Sequence, residues 1–366
     1  MTTETSTPDR TGDTAGNLER AFVDEGGWPA VITRLLAGRD LSPEQAEAAM
    51  AEILGGRAEP AQVAGFVVAL RAKGESTAEL AAMLRATMVE AAVVPLTDDE
   101  RAAAIDVVGT GGDGSHSINV STIAAIVTGA AGVLVCKHGN RSVSSKCGTA
   151  DVLELLGVRI EQTPEGVAHC LRTAGIGFCL ATAFHPAFRF AGPIRRQLGV
   201  PTAFNLLGPM ANPGRVRKRL IGVADPSFAD AMLGALQAQG VTEAWVVHGG
   251  GLDELSTATV STAHVFGNGT IERITIDPAA LGLAPATTDD LRGGAPDENA
   301  EAVHRVLAGE EGPHRDVVIL NAAAALVLAG AAVDLADGLT QAAAAIDDGR
   351  AVATLERLVV ASNDTP

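Results

Sequence analysis

Beyond Pro95 short apolar runs alternate with helical segments, and this alternation limits the fold more than any other feature of the sequence. Runs at 105–108, 133–136, 176–181, 220–223 and 244–247 predict strands. Strands that alternate with helices build a mostly parallel sheet with helices on its faces. Two further runs, 259–266 and 270–276, flank Gly267-Asn268-Gly269 and predict a β-hairpin, because Asn-Gly accepts the positive φ angles of a tight turn.

The preceding residues carry helix punctuation instead. A helix over 28–37 stops at Gly38. Ser42-Pro43-Glu44-Gln45 is a capping box with Pro at the first helical position, and its helix ends at Gly55-Gly56. A third helix over 60–73 ends at Gly74, and Ser76-Thr77-Ala78-Glu79 opens a fourth that runs to about residue 92. The expected organisation is a polar, disordered tail at 1–17, a helical domain over 18–98 and an α/β domain over 99–366. The fold class is α/β, a small N-terminal helical domain packed on a larger domain with a mostly parallel sheet.

Composition narrows the chemistry. With 27 Lys and Arg against 44 Asp and Glu, the net charge is -17, which opposes nucleic acid and anionic membranes as partners. An anionic ligand must then be gripped by a local device. Only 3% of residues are aromatic, so the core must be built from Ala, Val, Leu and Ile. The cysteines, Cys136, Cys147, Cys170 and Cys179, form no CxxC pair and match no zinc template, as expected of thiols in a reducing compartment. No apolar leader is present at the N-terminus, so the expected location is the cytoplasm. The alanine-rich run at 317–333, broken by Asn321, predicts a buried helix, being short of a membrane span.

Polar clusters follow four of the strands, where parallel sheets bind ligands. Gly109-Thr110-Gly111-Gly112-Asp113 follows the first, with Asn119-Val120-Ser121-Thr122 at the start of the next helix. Glycines let backbone N–H groups approach an anion, and a helix start adds free N–H groups and a positive dipole end. Gly109, Gly111 and Gly114 also match the dinucleotide fingerprint. That fingerprint wants a helix at once and an acid after the second strand, whereas here the helix starts late and Lys137 holds the acid's place. The second cluster runs from Lys137 to Lys146 and the third surrounds His185, with Phe184 and Phe188 as walls for an aromatic ligand. In the last, Asp253-Glu254 forms a hard-oxygen pair suited to Mg²⁺ shared with substrate phosphates, and Ser121 can supply a hydroxyl to a second ion.

The blocks GTGGD, NVST, KHGNRSVSSKCGTADVLE, RRQLGVPTAFNLLGP and HGGGLDELS, in this order, resemble the anthranilate phosphoribosyltransferase family, whose fold is that of the pyrimidine nucleoside phosphorylases. The resemblance spans roughly residues 28 to 350 and extends to the helical region. It implies transfer of phosphoribose from PRPP to the amine of anthranilate with loss of pyrophosphate, in tryptophan biosynthesis. PRPP is the implied co-substrate, with two Mg²⁺ ions and a homodimer built through the helical domain. By position, Gly109, Gly112, Asp113, Ser117, Asn119, Ser121 and Thr122 would hold PRPP, together with Lys137, Ser144, Ser145 and Thr149. His138, Gly139, Asn140, Arg141, Arg195 and Gly208 would complete the substrate site, with Lys137, Asn140 and Arg195 in the catalytic roles. Ser121, Asp253 and Glu254 would hold the metal.

Three features depart from the family pattern. The loop 248–254 is one residue shorter, which would displace the acid pair; Thr182 stands where Pro is common, beside the aromatic channel; and Cys147 and Thr149 replace residues that are more often Ser. Another aromatic acceptor, or phosphorolysis of a pyrimidine nucleoside, therefore stays open on sequence alone. A nucleic-acid-binding relative is the third alternative and needs a positive net charge.

Overall fold

The computed structural model describes residues 22–142 and 146–364, so the tail at 1–17 and the expected PRPP ligands Ser144 and Ser145 lie outside the described residues. The chain divides into two compact units, one comprising residues up to 90 together with 187–203, the other 91–186 and 204 onward. Segment 187–203, assigned by sequence to the α/β part, thus clusters with the helices.

The helical unit follows its punctuation. Ser42 Oγ accepts from Gln45 N at 3.1 Å while Gln45 Oε1 accepts from Ser42 N at 3.2 Å, opening the helix Pro43–Leu54. The same exchange between Ser76 and Glu79 opens Thr77–Val89. Glu79 does more than cap. Its buried carboxylate also accepts from Leu41 N at 2.9 Å and from Lys73 Nζ at 2.8 Å, tying a loop and the end of the helix Pro60–Lys73 to this helix. Trp28 meets the buried Phe66 edge-on at 5.8 Å. The short helix Gly192–Leu198 packs against Pro60–Lys73 within the same unit.

In the second unit seven strands form one sheet in the order β3-β2-β1-β4-β5-β6-β7. These are β1 Ile105–Gly109, β2 Val135–Gly139, β3 Ile176–Leu180, β4 Lys218–Gly222, β5 Glu243–His248, β6 Ser261–Gly267 and β7 Thr270–Ile276. The first five run parallel, and β6 and β7 add an antiparallel hairpin. Its turn has Asn268 at φ 51° and Gly269 at φ 78°, as Asn-Gly predicts. Register is continuous along every neighbouring pair except β1 and β2, which share only Ile105↔Val135.

The apolar run beyond residue 316 is the buried helix Pro313–Ala329, packed on Val120–Ala130 and on Leu335–Asp347. Alanines make these approaches possible. A Cβ at Gly338 would stand 2.8 Å from the carbonyl oxygen of Ala323. No helix among the described residues is long and apolar enough to cross a membrane. All four cysteines are buried.

Candidate active site

The glycine loop leaves β1 and turns through left-handed conformations at Gly111, Gly112 and Gly114, with φ of 66°, 78° and 73°. Glycine reaches this region without steric cost, so the loop can present its N–H groups outward. One is already engaged: Gly111 N donates to Asp253 Oδ2 at 2.6 Å. Asp113 folds back on its own loop, accepting from Ser115 N at 3.1 Å and Ser115 Oγ at 2.8 Å. It also receives a long bond from Asp253 N at 3.4 Å. Asp253 therefore sits on the loop from one side while its backbone touches the loop's acid on the other.

Glu254 takes the helix start. Its Oε1 accepts from Ser121 N at 3.0 Å in the first turn of Val120–Ala130, where N–H groups lack intrahelical partners. The loop 248–254 thus delivers one carboxylate to the glycine loop and the other to the helix start. Three glycines make space for it. A Cβ at Gly222 would stand 1.5 Å from the Asp253 carbonyl oxygen, at Gly109 2.3 Å from Asp253 Oδ2, and at Gly249 2.4 Å from the Glu254 carbonyl oxygen.

Lys137, at the middle of β2, is 2% exposed. Its ammonium donates to the carbonyl of Val107 and to Ser121 Oγ at 3.3 Å. Burial lowers its pKa, opposed by the negative charges of Asp106, Glu254 and Asp253. Burial, then the charge of Asp113, raises the Asp253 carboxyl; burial, then Asp253, raises Glu254. The pair is short of positive charge, which is what a divalent cation supplies. Among the described residues no group of three His, Cys, Asp or Glu makes a self-sufficient metal site, so a cation here would take further ligands from substrate oxygens.

The remaining expected residues divide by position. Thr122 Oγ1 donates to Thr149 Oγ1 at 3.1 Å, and Asn119 Nδ2 donates to the carbonyl of Cys147 at 3.3 Å, so both lean toward the loop after β2. Ser117 pairs in an isolated bridge with Arg292. Asn140 is exposed just beyond β2. Gly139 closes β2, where a Cβ would stand 3.0 Å from the Phe178 ring. Arg141 is committed elsewhere, its guanidinium pairing with Asp151 at 3.0 Å and Glu154 at 2.9 Å on the helix Thr149–Leu155. His138 is buried beside His185, ring centroids 5.3 Å apart, and hydrogen-bonds the backbone of Gly208. Burial pulls His138 well below the usual histidine range, and burial brings His185 to about 4. Both rings are neutral at pH 7. Arg195 belongs to the helical unit, on Gly192–Leu198.

Two asparagines that sequence reading passed over support the site. Asn299 Nδ2 donates to Asn119 Oδ1 at 2.8 Å. Asn321, seen in sequence only as a break in an apolar run, bonds both backbone groups of Leu255, next to the acid pair. Asn321 was detectable as a polar residue inside an otherwise apolar helix; Asn299 carried no such signal.

Residues 29–92 match the glycosyl transferase family helical bundle domain and residues 101–352 its a/b domain. The anthranilate phosphoribosyltransferase of Salinispora arenicola is 49% identical over 342 residues, covering 92% of this chain and 97% of the relative. That of Thermomicrobium roseum is 50% identical, covering 91% and 97%. The chain belongs to the anthranilate phosphoribosyltransferase family. Solved members agree in fold. The enzyme from Thermus thermophilus superposes with a TM-score of 0.84 at 40% identity, covering 91% of this chain and 99% of that one. The Saccharomyces cerevisiae enzyme in complex with PRPP and Mg gives 0.84 at 27% identity, covering 92% and 98%. A second structure of the yeast family member holds 4-fluoroanthranilate and gives 0.82 at 26% identity, covering 96% and 99%.

Proposed function

We propose that this family member transfers the phosphoribosyl group of PRPP to the amine of anthranilate and releases pyrophosphate. The observation that carries the reading is the seating of Asp253 on the glycine loop and Glu254 on the helix start, beside the buried ammonium of Lys137. Gly109, Gly112, Asp113, Ser117, Asn119, Ser121, Thr122 and Thr149 are the proposed donor-binding residues. Asp253, Glu254 and Ser121 would hold Mg²⁺, as two ions. When bound, the cation would neutralise charge growing on the departing pyrophosphate.

The bond from C1 of the ribose to pyrophosphate breaks and one to the acceptor nitrogen forms, through a state of oxocarbenium character, and the nitrogen then gives up one proton to the departing pyrophosphate or to water. Loop N–H groups and the Lys137 ammonium face the leaving group's developing charge. An aromatic amine is neutral at pH 7 and attacks without prior deprotonation. Orientation is then the main demand on the protein. Asn140 and Arg195 are the proposed acceptor residues, since a guanidinium fork pairs bidentately with a carboxylate. His138 and Gly208 are proposed to take part in acceptor binding, and Arg141, paired with Asp151 and Glu154, holds the loop's start. No histidine is assigned as an indispensable base.

The test combines the protein with PRPP, Mg²⁺ and anthranilate and follows loss of anthranilate fluorescence. No loss, with PRPP still bound by calorimetry, would reject the acceptor and keep the donor. Thymidine or uridine phosphorolysis without PRPP would support the phosphorylase alternative. The reading extends to a cytoplasmic homodimer formed through the helical unit, supported by the exposed Leu36, Val68 and Val89 and checked by sedimentation.

A further inference from the structure

Between β1 and β2 the backbone ladder stops after Ile105↔Val135, although every other neighbouring pair stays in register. Two side chains take over. Asp106 Oδ1, on β1, accepts from His138 N on β2 at 3.0 Å, and Lys137, on β2, donates to the carbonyl of Val107 on β1. The carboxylate thus fills the place of a strand carbonyl, and the ammonium fills that of a strand N–H. The split lies where β2 carries Lys137 and His138.

Asp106 is itself held rigidly. Its Oδ2 accepts from Asn212 Nδ2 at 2.8 Å and from Arg219 Nη1 at 3.1 Å, and Asn212 also donates to the carbonyl of Cys136 at 2.7 Å. Asp106 and Asn212 are 0% exposed and Arg219 3%. A buried ion pair of this kind adds little net stability over apolar residues of equal volume. Its expense is explained if the carboxylate does something an apolar residue could not, which is to accept the His138 N–H.

We propose that Asp106 is a positioning residue for phosphoribosyl transfer: by capping His138 N across the split it fixes the segment that aims Lys137 at the leaving group. This rests on the reading proposed above, and turnover by the parent protein establishes that reading before any variant is compared.

The test uses two double variants in the full chain. D106N/R219M keeps an oxygen for His138 N without stranding a buried charge, and D106L/R219M removes the oxygen. D106L/R219M orphans the buried His138 N–H and should melt a few degrees below D106N/R219M while remaining folded. The leucine variant should lose kcat by about 100-fold, the scale of one lost donor at a developing charge, while D106N/R219M retains kcat within about tenfold. The PRPP dissociation constant, by calorimetry, should move by less than about threefold in both, since the loss falls on the transition state. Equal kcat in the two folded double variants would overturn the proposal, as would a kcat loss matched by lost PRPP binding. If the leucine variant does not fold, N212A loosens the carboxylate without removing it. N212A must then show a selective kcat loss, and an unchanged kcat sinks the idea.

Discussion

The side-chain amide of Asn321 satisfies both backbone groups of Leu255, its Oδ1 accepting from Leu255 N at 3.0 Å and its Nδ2 donating to Leu255 O at 2.8 Å. Nδ2 also reaches the carbonyl of Val317 one turn earlier at 2.8 Å. A single residue of a buried helix therefore anchors the loop whose two preceding residues are Asp253 and Glu254. Replacing Asn321 by Leu would orphan two buried backbone groups. The expected cost is about 3 kcal/mol in denaturant unfolding. Mg²⁺-dependent PRPP affinity should fall with it, and unchanged affinity in a destabilised variant would separate the anchor from the site.

Gly222 faces the acid pair from β4. An added methyl group would overlap the Asp253 carbonyl, which lies 1.5 Å from the ideal Cβ position. Relief requires moving the pair away from the glycine loop. G222A should lose at least about 100-fold in kcat/KM, as misplaced catalytic groups do, while far-ultraviolet circular dichroism stays that of the parent. Parent-like kinetics would show that the pair tolerates displacement.

Metal binding should depend on pH in a defined direction. Asp253 is pushed up to about 7 and Glu254 to about 8, both chiefly by burial. A carboxyl that holds its proton more tightly in the folded protein stabilises the fold below its unfolded pKa. That contribution is lost as pH rises through the folded values, so the metal-free melting temperature should fall between pH 5 and about 8. Mg²⁺ competes with these protons. Its affinity should rise over the same window, and calorimetry in buffers of different ionisation enthalpy should detect proton release. Affinity independent of pH would mean that the pair is not the metal site.

Arg195 is assigned to the acceptor carboxylate, so R195A should raise KM for anthranilate by about 10- to 100-fold, the worth of a charge-assisted pair. KM for PRPP should change little. A larger effect on PRPP would move Arg195 to the donor side.

Much of this architecture is written locally. Ser42 and Ser76 announce their helices because a capping box is a four-residue event, and Asn268-Gly269 announces the hairpin for the same reason. The glycine loop and the acid pair follow strands, where ligands are sought first, whereas Lys137, expected just beyond its strand, lies at the middle of β2. What escaped is long-range. Asp106 and Arg219 are 113 positions apart, and Asn299 reaches Asn119 across 180. Within its own run Asp106 is only a polar residue in a strand, and nothing nearby tells that a buried cation will meet it. The clustering of 187–203 with the helical unit is equally a matter of packing, without a local signal.

The interrupted β1–β2 ladder has a mechanical consequence. A backbone ladder is tolerant of sequence, since any residue but proline can supply its N–H and C=O. Where side chains stand in for it, cohesion depends on residue identity. The sheet of this enzyme family member has a seam stitched by Asp106 and Lys137, and mutational tolerance along β1 and β2 should be lowest at those two stitches.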